Sequence, residues 1–160
     1  MSTILYGELY AASDHSISQE ARKCYRALKF VGETPSVSVD GTYIESIEAL
    51  VAVFLGASRP NWDGYGASPV SDAALAQALA FLELLPSTLS KPDISAHPDG
   101  EIAFEWFVAP RRQLTVSIND AGRLSYAAIF GGARIHGTES LLDAIPDAII
   151  LALRRLYEAE

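Results

Sequence analysis

The stretch Asp93–Gly137, DISAHPDGEIAFEWFVAPRRQLTVSINDAGRLSYAAIFGGARIHG, decides the fold. It breaks into five short runs that alternate apolar and polar side chains, separated by turn-forming residues, which is the pattern of an antiparallel meander. A one-residue slip sends every side chain of a strand to the other face, so few registers keep the apolar residues together. Pairing Trp106 with Leu114, Phe104 with Val116 and Ile102 with Ile118 does so, with Ala109, Pro110 and Arg111 as the loop and Val108 continuing the apolar set. Asp120, Ala121 and Gly122 suit a three-residue hairpin loop whose glycine takes the left-handed position, setting Ile118 opposite Leu124. Pro98, Asp99 and Gly100 bring Ile94 beside Phe104 and Ala96 beside Ile102, and Gly131–Gly132 turns the chain into a last strand that places Ile135 on the same apolar face.

A sheet with one apolar face must bury it, and three segments can supply helices to cover it. Tyr43–Gly56 places Ile44, Ile47, Val51, Phe54 and Leu55 at helical spacing and ends on a glycine suited to a C-terminal cap. A second helix is expected from Ser68 as N-cap and Pro69 in the first turn, through Leu75, Ala78, Leu79 and Leu82, to a stop before Pro86. A third follows Ser140, where the stripe Leu142, Ile145, Ile149, Leu153 and Leu156 spans Pro146; either a short first turn or a fresh helix at the proline fits. The expected architecture is α+β: a five-stranded antiparallel meander with one face covered by about three helices, forming one domain over residues 44–160. Residues 1–43 read as an N-terminal appendage with a strand at Thr3–Tyr10, an amphipathic helix at Ser16–Phe30 and a connection at Glu33–Gly41.

A chain of 160 residues that is 49% hydrophobic can bury a core without disulfide or metal support. The single Cys24 cannot make an internal bridge and sits in an apolar helical stripe, so an inert buried thiol and a reducing, cytoplasmic setting are expected. No apolar run approaches the roughly 20 residues of a membrane span, and the first residues lack the basic start and apolar core of a signal peptide. Net charge is −8, and acidic residues outnumber basic ones in each of residues 1–43, 44–92, 93–138 and 139–160. With no basic stripe to meet phosphates, nucleic-acid binding is excluded as an expectation, whereas a basic protein partner is accommodated.

The run at 61–86, NWDGYGASPVSDAALAQALAFLELLP, followed by PDGEIAFEW at 98–106 and a closing helix after a small glycine-rich strand pair, resembles a family of small uncharacterised bacterial proteins. The resemblance covers roughly Ile44 to Leu156. It implies a bacterial or mobile-element origin and an accessory, antitoxin-like or immunity-like role, and it brings no catalytic residue or cofactor.

Candidate sites come from two places. In the loop Asn61–Ala67, Trp62, Asp63 and Tyr65 offer aromatic faces and a fixed charge to a small ligand or peptide. Alternatively, the rings plug the helix junction while Asp63 forms an Asx turn with Gly64 at positive φ. On the polar face of the sheet one row reads His97, Glu101, Asn119, Arg123; the next reads Ser95, Ala103, Ser117, Ser125; a third reads Asp93, Glu105, Thr115, Ala127, His136. His97 and Glu101 stand opposite each other and can act as an acid/base pair or as an ordinary cross-strand pair. Glu101 and Glu105 lie roughly 13 Å apart along a strand, too far for the carboxylates of a retaining glycosidase. His136 and Thr115 are about 10 Å apart, too far for a dyad. The histidines show no paired ligand spacing, so no metal site is expected.

The leading expectation is therefore a non-enzymatic protein-binding module without cofactor, an antitoxin, immunity or accessory subunit, binding through Trp62, Asp63, Tyr65, Asn119 and Arg123. Two rivals stay open: a hydrolase-like enzyme using His97 and Glu101, and a small-ligand sensor built on the Trp62–Tyr65 loop.

Overall fold

The computed structural model describes residues 41–158. The strand expected at Thr3–Tyr10, the helix at Ser16–Phe30 and Cys24 lie outside the described residues. The elements run α1 (Gly41–Ala57), α2 (Asp72–Leu84), β1 (Asp93–Ala96), β2 (Ile102–Ala109), β3 (Arg112–Ile118), β4 (Arg123–Phe130), β5 (Ala133–Ser140) and α3 (Asp147–Tyr157). The strands form one five-stranded sheet in the order β1-β2-β3-β4-β5, an antiparallel meander. The fold is α+β, with helices gathered on one face.

The register follows the apolar pattern. Trp106 pairs with Leu114, Phe104 with Val116, Ile102 with Ile118, Ile118 with Leu124, and Ile94 with Phe104. One hairpin differs from expectation. Ala109 pairs with Arg112, so the β2–β3 loop is only Pro110–Arg111, with Arg111 at φ 63°, and the register shifts between Phe107 and Ala109. The extra residue is Val108, which leaves the apolar row and is 43% exposed. A two-residue turn closed this way needs a bulge to keep Trp106 and Leu114 facing the core. The last strand also runs to Ser140, three residues past Gly137. Gly137 has a specific reason to be glycine, because a Cβ there would meet the ring of its cross-strand partner Tyr126 at 2.6–2.8 Å.

The core lies between sheet and helices. Trp106, Phe104, Ile102, Leu114, Val116, Ile118 and Leu124 from the sheet meet Leu50, Phe81, Ile149, Leu153 and Leu156 from the helices, all essentially out of solvent. The rings of Phe81 and Phe104 sit 4.8 Å apart, tilted by 36°, a packed aromatic pair. Helix α1 packs on β1 and α2, α2 on β2 and β3, and α3 on β3 and β4.

Each helix departs locally from the sequence expectation, for identifiable reasons. α1 starts at Gly41 and buries Ile47, Leu50, Phe54 and Ala57, while Ile44 and Leu55 are 39% and 41% exposed. Its sequence is apolar nearly all round, so the buried side is chosen by what it packs against. Gly56 is exposed and lies inside the helix, which ends on Ala57. α2 is capped by Ser71, whose Oγ accepts from the Ala74 N–H at 3.1 Å. Ser68 does not cap it: the Ser68 carbonyl, which in an N-cap would take the first intrahelical bond, accepts from Trp62 Nε1–H at 2.9 Å, while its N–H donates to the Pro98 carbonyl at 2.7 Å, and Pro69 stays in the loop. α3 is a fresh helix, its first turn closed by the N–H groups of Ile149 and Ile150 on the Pro146 carbonyl. Leu142 falls in the preceding segment and is 78% exposed rather than part of the stripe. At the other end of α3, Arg112 donates from Nη2 to the carbonyls of Arg155, Leu156 and Glu158, satisfying orphan acceptors and opposing the negative end of the helix dipole.

No helix among the described residues is long and apolar enough to cross a membrane.

Candidate functional site

In an antiparallel meander alternate turns emerge at the same end of the sheet. The β1–β2 turn, His97-Pro98-Asp99-Gly100, therefore lies near the β3–β4 turn, Asn119-Asp120-Ala121-Gly122, and both carry acids. With the start of α2 they enclose an open concavity of about 270 Å³ lined by Pro69, Ser71, Asp99, Gly100, Glu101, Asn119 and Asp120. Three carboxylates and no basic side chain line it.

Local chemistry explains the shape of each wall. Gly100, at φ +92°, closes the β1–β2 turn, and a Cβ there would come to 3.0 Å from the Pro69 carbonyl oxygen. Only glycine accepts both the backbone conformation and that approach. The Gly100 N–H donates to the His97 carbonyl at 2.9 Å, and the His97 N–H to the Glu101 carbonyl at 2.8 Å. Across the concavity, Asn119 Oδ1 accepts from the N–H groups of Ala121 at 3.0 Å and Arg123 at 2.9 Å, with Gly122 at φ +75°. That is an Asx-type turn. Asn119 is thus committed to holding its own hairpin, and Arg123 is exposed and absent from the lining.

Glu101 is half-buried and accepts from the Ser117 hydroxyl at 2.5 Å on Oε2. Asp99 Oδ1 accepts from the Glu101 N–H at 3.1 Å. His97, Asp99 and Glu101 each offer a ligand atom, and these three atoms lie within 4.8 Å of one another. The structure thus brings the expected pair, His97 and Glu101, together, and adds Asp99, Asp120 and Ser117. The two aspartates looked like turn residues only. What would have revealed them is topology: two acid-bearing turns one hairpin apart must meet at one end of the sheet. Neither nearby serine is set up as a nucleophile. Ser117 is buried and donates to a carboxylate instead of an imidazole, and the Ser71 oxygen is spent on the α2 cap.

The Trp62 loop does not line the concavity but braces it. Trp62 Nε1–H donates to the Ser68 carbonyl at 2.9 Å, and the Ser68 N–H in turn holds Pro98. Asp63 Oδ1 accepts from the N–H groups of Tyr65 at 2.8 Å and Ala67 at 3.1 Å, and Asn61 Oδ1 from Gly66 at 2.7 Å. Gly64 and Gly66 take positive φ. The acid is therefore an internal acceptor for its own loop. Tyr65 is 95% exposed and plugs nothing, whereas Trp62 is half-buried.

Comparison of the chain with protein-family models, with curated proteins and with solved structures finds no match.

Proposed function

We propose that this chain is a non-enzymatic binding module that receives an arginine or lysine side chain of a partner protein in the acidic concavity at the β1–β2 and β3–β4 end of the sheet. The supporting observation is the lining itself: Asp99, Glu101 and Asp120 converge with no basic lining residue to neutralise them. A cationic group entering there gains charge-assisted hydrogen bonds from walls already fixed by Gly100, Asn119 and Ser117, so little ordering is needed on binding. The net charge of −8 adds long-range steering of a basic partner. An antitoxin, immunity or accessory subunit acting in the cytoplasm fits this chemistry.

The test is capture of partners by the full chain from its native host, beside an Asp99→Asn/Asp120→Asn double variant. A basic protein should be retained by the native chain, released as salt rises from about 0.1 M to 1 M while the Debye length shrinks from about 10 Å to 3 Å, and lost by the double variant. Equal retention by both chains overturns the proposal. So does a substrate turnover by the isolated protein that His97→Ala or Glu101→Gln abolishes.

A further inference from the structure

We propose that His97, Asp99 and Glu101 form a site for one divalent transition-metal ion of the zinc, cobalt or nickel kind, with the neighbouring concavity supplying its open coordination positions. The donor set is one imidazole nitrogen and two carboxylate oxygens, all within 4.8 Å of one another. In an extended strand, residues at 97 and 101 would stand roughly 13 Å apart. The reversal at Gly100 instead folds them face to face, with the His97 N–H on the Glu101 carbonyl and Asp99 at the bend.

The distance is within reach of a real site. Metal–ligand bonds of about 2.0–2.2 Å in tetrahedral geometry put any two donors about 3.3–3.6 Å apart, so donors that start within 4.8 Å of one another close the set by side-chain shifts of under about 1 Å each. The carboxylates are also held as ligands need to be. Asp99 is anchored through Oδ1 by the Glu101 N–H, and Glu101 through Oε2 by the buried Ser117 hydroxyl. The other oxygen of each has no hydrogen-bond partner among the described residues. Fixing a carboxylate through one oxygen while the other stays unpaired is the arrangement by which outer-shell partners orient metal-binding carboxylates.

The imidazole distinguishes this cluster from a patch of acids. Oxygen-only groups suit calcium or magnesium, whereas nitrogen with carboxylate favours borderline ions. Asp99 and Glu101 are themselves among the seven residues that line the concavity, whose open volume leaves room for water or a partner's donor at the remaining positions. The proposal shares two carboxylates with the partner-binding reading but does not rest on it, since the purified chain alone suffices for the test.

The experiment is calorimetric titration of the purified full chain with zinc chloride, repeated with calcium chloride, together with cobalt absorption spectra. One saturable zinc site is expected, with calcium weaker. His97→Ala and Asp99→Asn should each weaken zinc roughly tenfold or more and change the cobalt spectrum. Ser117→Ala should weaken it roughly 10–100-fold while the circular dichroism spectrum is retained, as for other outer-shell partners. Glu105→Gln removes the same charge from the same sheet face outside the cluster and should change affinity less than about twofold. No saturable zinc binding overturns the proposal, as does zinc affinity unmoved by His97→Ala, calcium binding as tight as zinc, or a loss in Glu105→Gln equal to that in Asp99→Asn. If zinc binds as expected while no partner is captured, the partner reading falls and the metal site stands.

Discussion

Trp106→Ala tests the sheet register most directly. Trp106 is 2% exposed, pairs with Leu114, and donates from Nε1 to the Ser90 carbonyl at 2.9 Å, tying the α2–β1 connection to the sheet. A buried tryptophan removes on the order of 200 Å² from water, worth about 5 kcal/mol as an upper bound at 25 cal/mol per Å². Part of that is retained by alanine, and a cavity is left behind, so a net loss of about 3–5 kcal/mol is expected. Trp106→Phe keeps most of the ring but orphans the Ser90 carbonyl, and should cost about 1–3 kcal/mol. Phe107 is the internal control: it is the next residue in β2, points to the opposite face and is 59% exposed. Phe107→Ala should cost under about 2 kcal/mol, since most of that ring is already in water. Urea unfolding followed by circular dichroism gives each midpoint and slope, and the comparison is valid while the slope is unchanged. A loss in Phe107→Ala equal to that in Trp106→Ala, or a Trp106→Ala loss below about 1 kcal/mol, would mean that the register or the burial is wrong.

Gly137→Ala should destabilise the fold by about 1–3 kcal/mol through overpacking, because the new methyl group lands on the Tyr126 ring. Adding Tyr126→Ala should recover part of that loss in a double-mutant cycle, and strictly additive losses would refute the contact. Burial, reinforced by the charge of Glu83 and a hydrogen bond to it, pushes the Tyr43 phenol up to about 12 from 10.0. Above pH 10 the unfolded chain loses this proton first, so the stability it contributes is complete below pH 10 and is lost as pH rises towards 12. Tyr43→Phe should therefore flatten the decline of stability in that alkaline window and remove a late-titrating phenol from the ultraviolet titration; an unchanged decline would sink the assignment. Asp63→Ala strips two N–H groups of their acceptor and should cost about 1–2 kcal/mol in a denaturant melt, whereas a change in partner capture without loss of stability would return that loop to the list of binding surfaces.

The strand pairing was legible because it is doubly constrained. Alternation and turn length each select a register, and only one register satisfies both for Ile102, Phe104, Trp106 and their partners. Where one constraint is missing, the reading slipped. α1 is apolar on almost every side, so periodicity could not choose between Ile44 and Leu50 as its inward residue. The cap of α2 turned on whether the carbonyl of Ser68 or of Ser71 was free to open the helix; Ser71 takes the Leu75 N–H, whereas Ser68 takes the Trp62 indole N–H, a side-chain contact that no helical periodicity contains. Val108 belongs to the same class: alternation extends the strand through it, and only the tightness of the Pro110–Arg111 turn expels it.

The candidate site was half legible for a deeper reason. His97 and Glu101 were found because they face each other across one hairpin, a relation within a pair of strands. Asp99 and Asp120 were hidden because an aspartate in a glycine-closed turn is explained fully by turn chemistry, and once a residue has one sufficient role the sequence offers no reason to assign it a second. The carboxylates divide accordingly. Asp63 has Oδ1 directed into its own loop, which is what a purely structural aspartate does. Asp99 also gives Oδ1 to its turn, yet it sits at the sheet end where a second acidic turn arrives, with His97 and Glu101 alongside. The same turn chemistry therefore produces a brace in one loop and a proposed ligand in the other, and what separates them is the meander, which places alternate hairpins side by side.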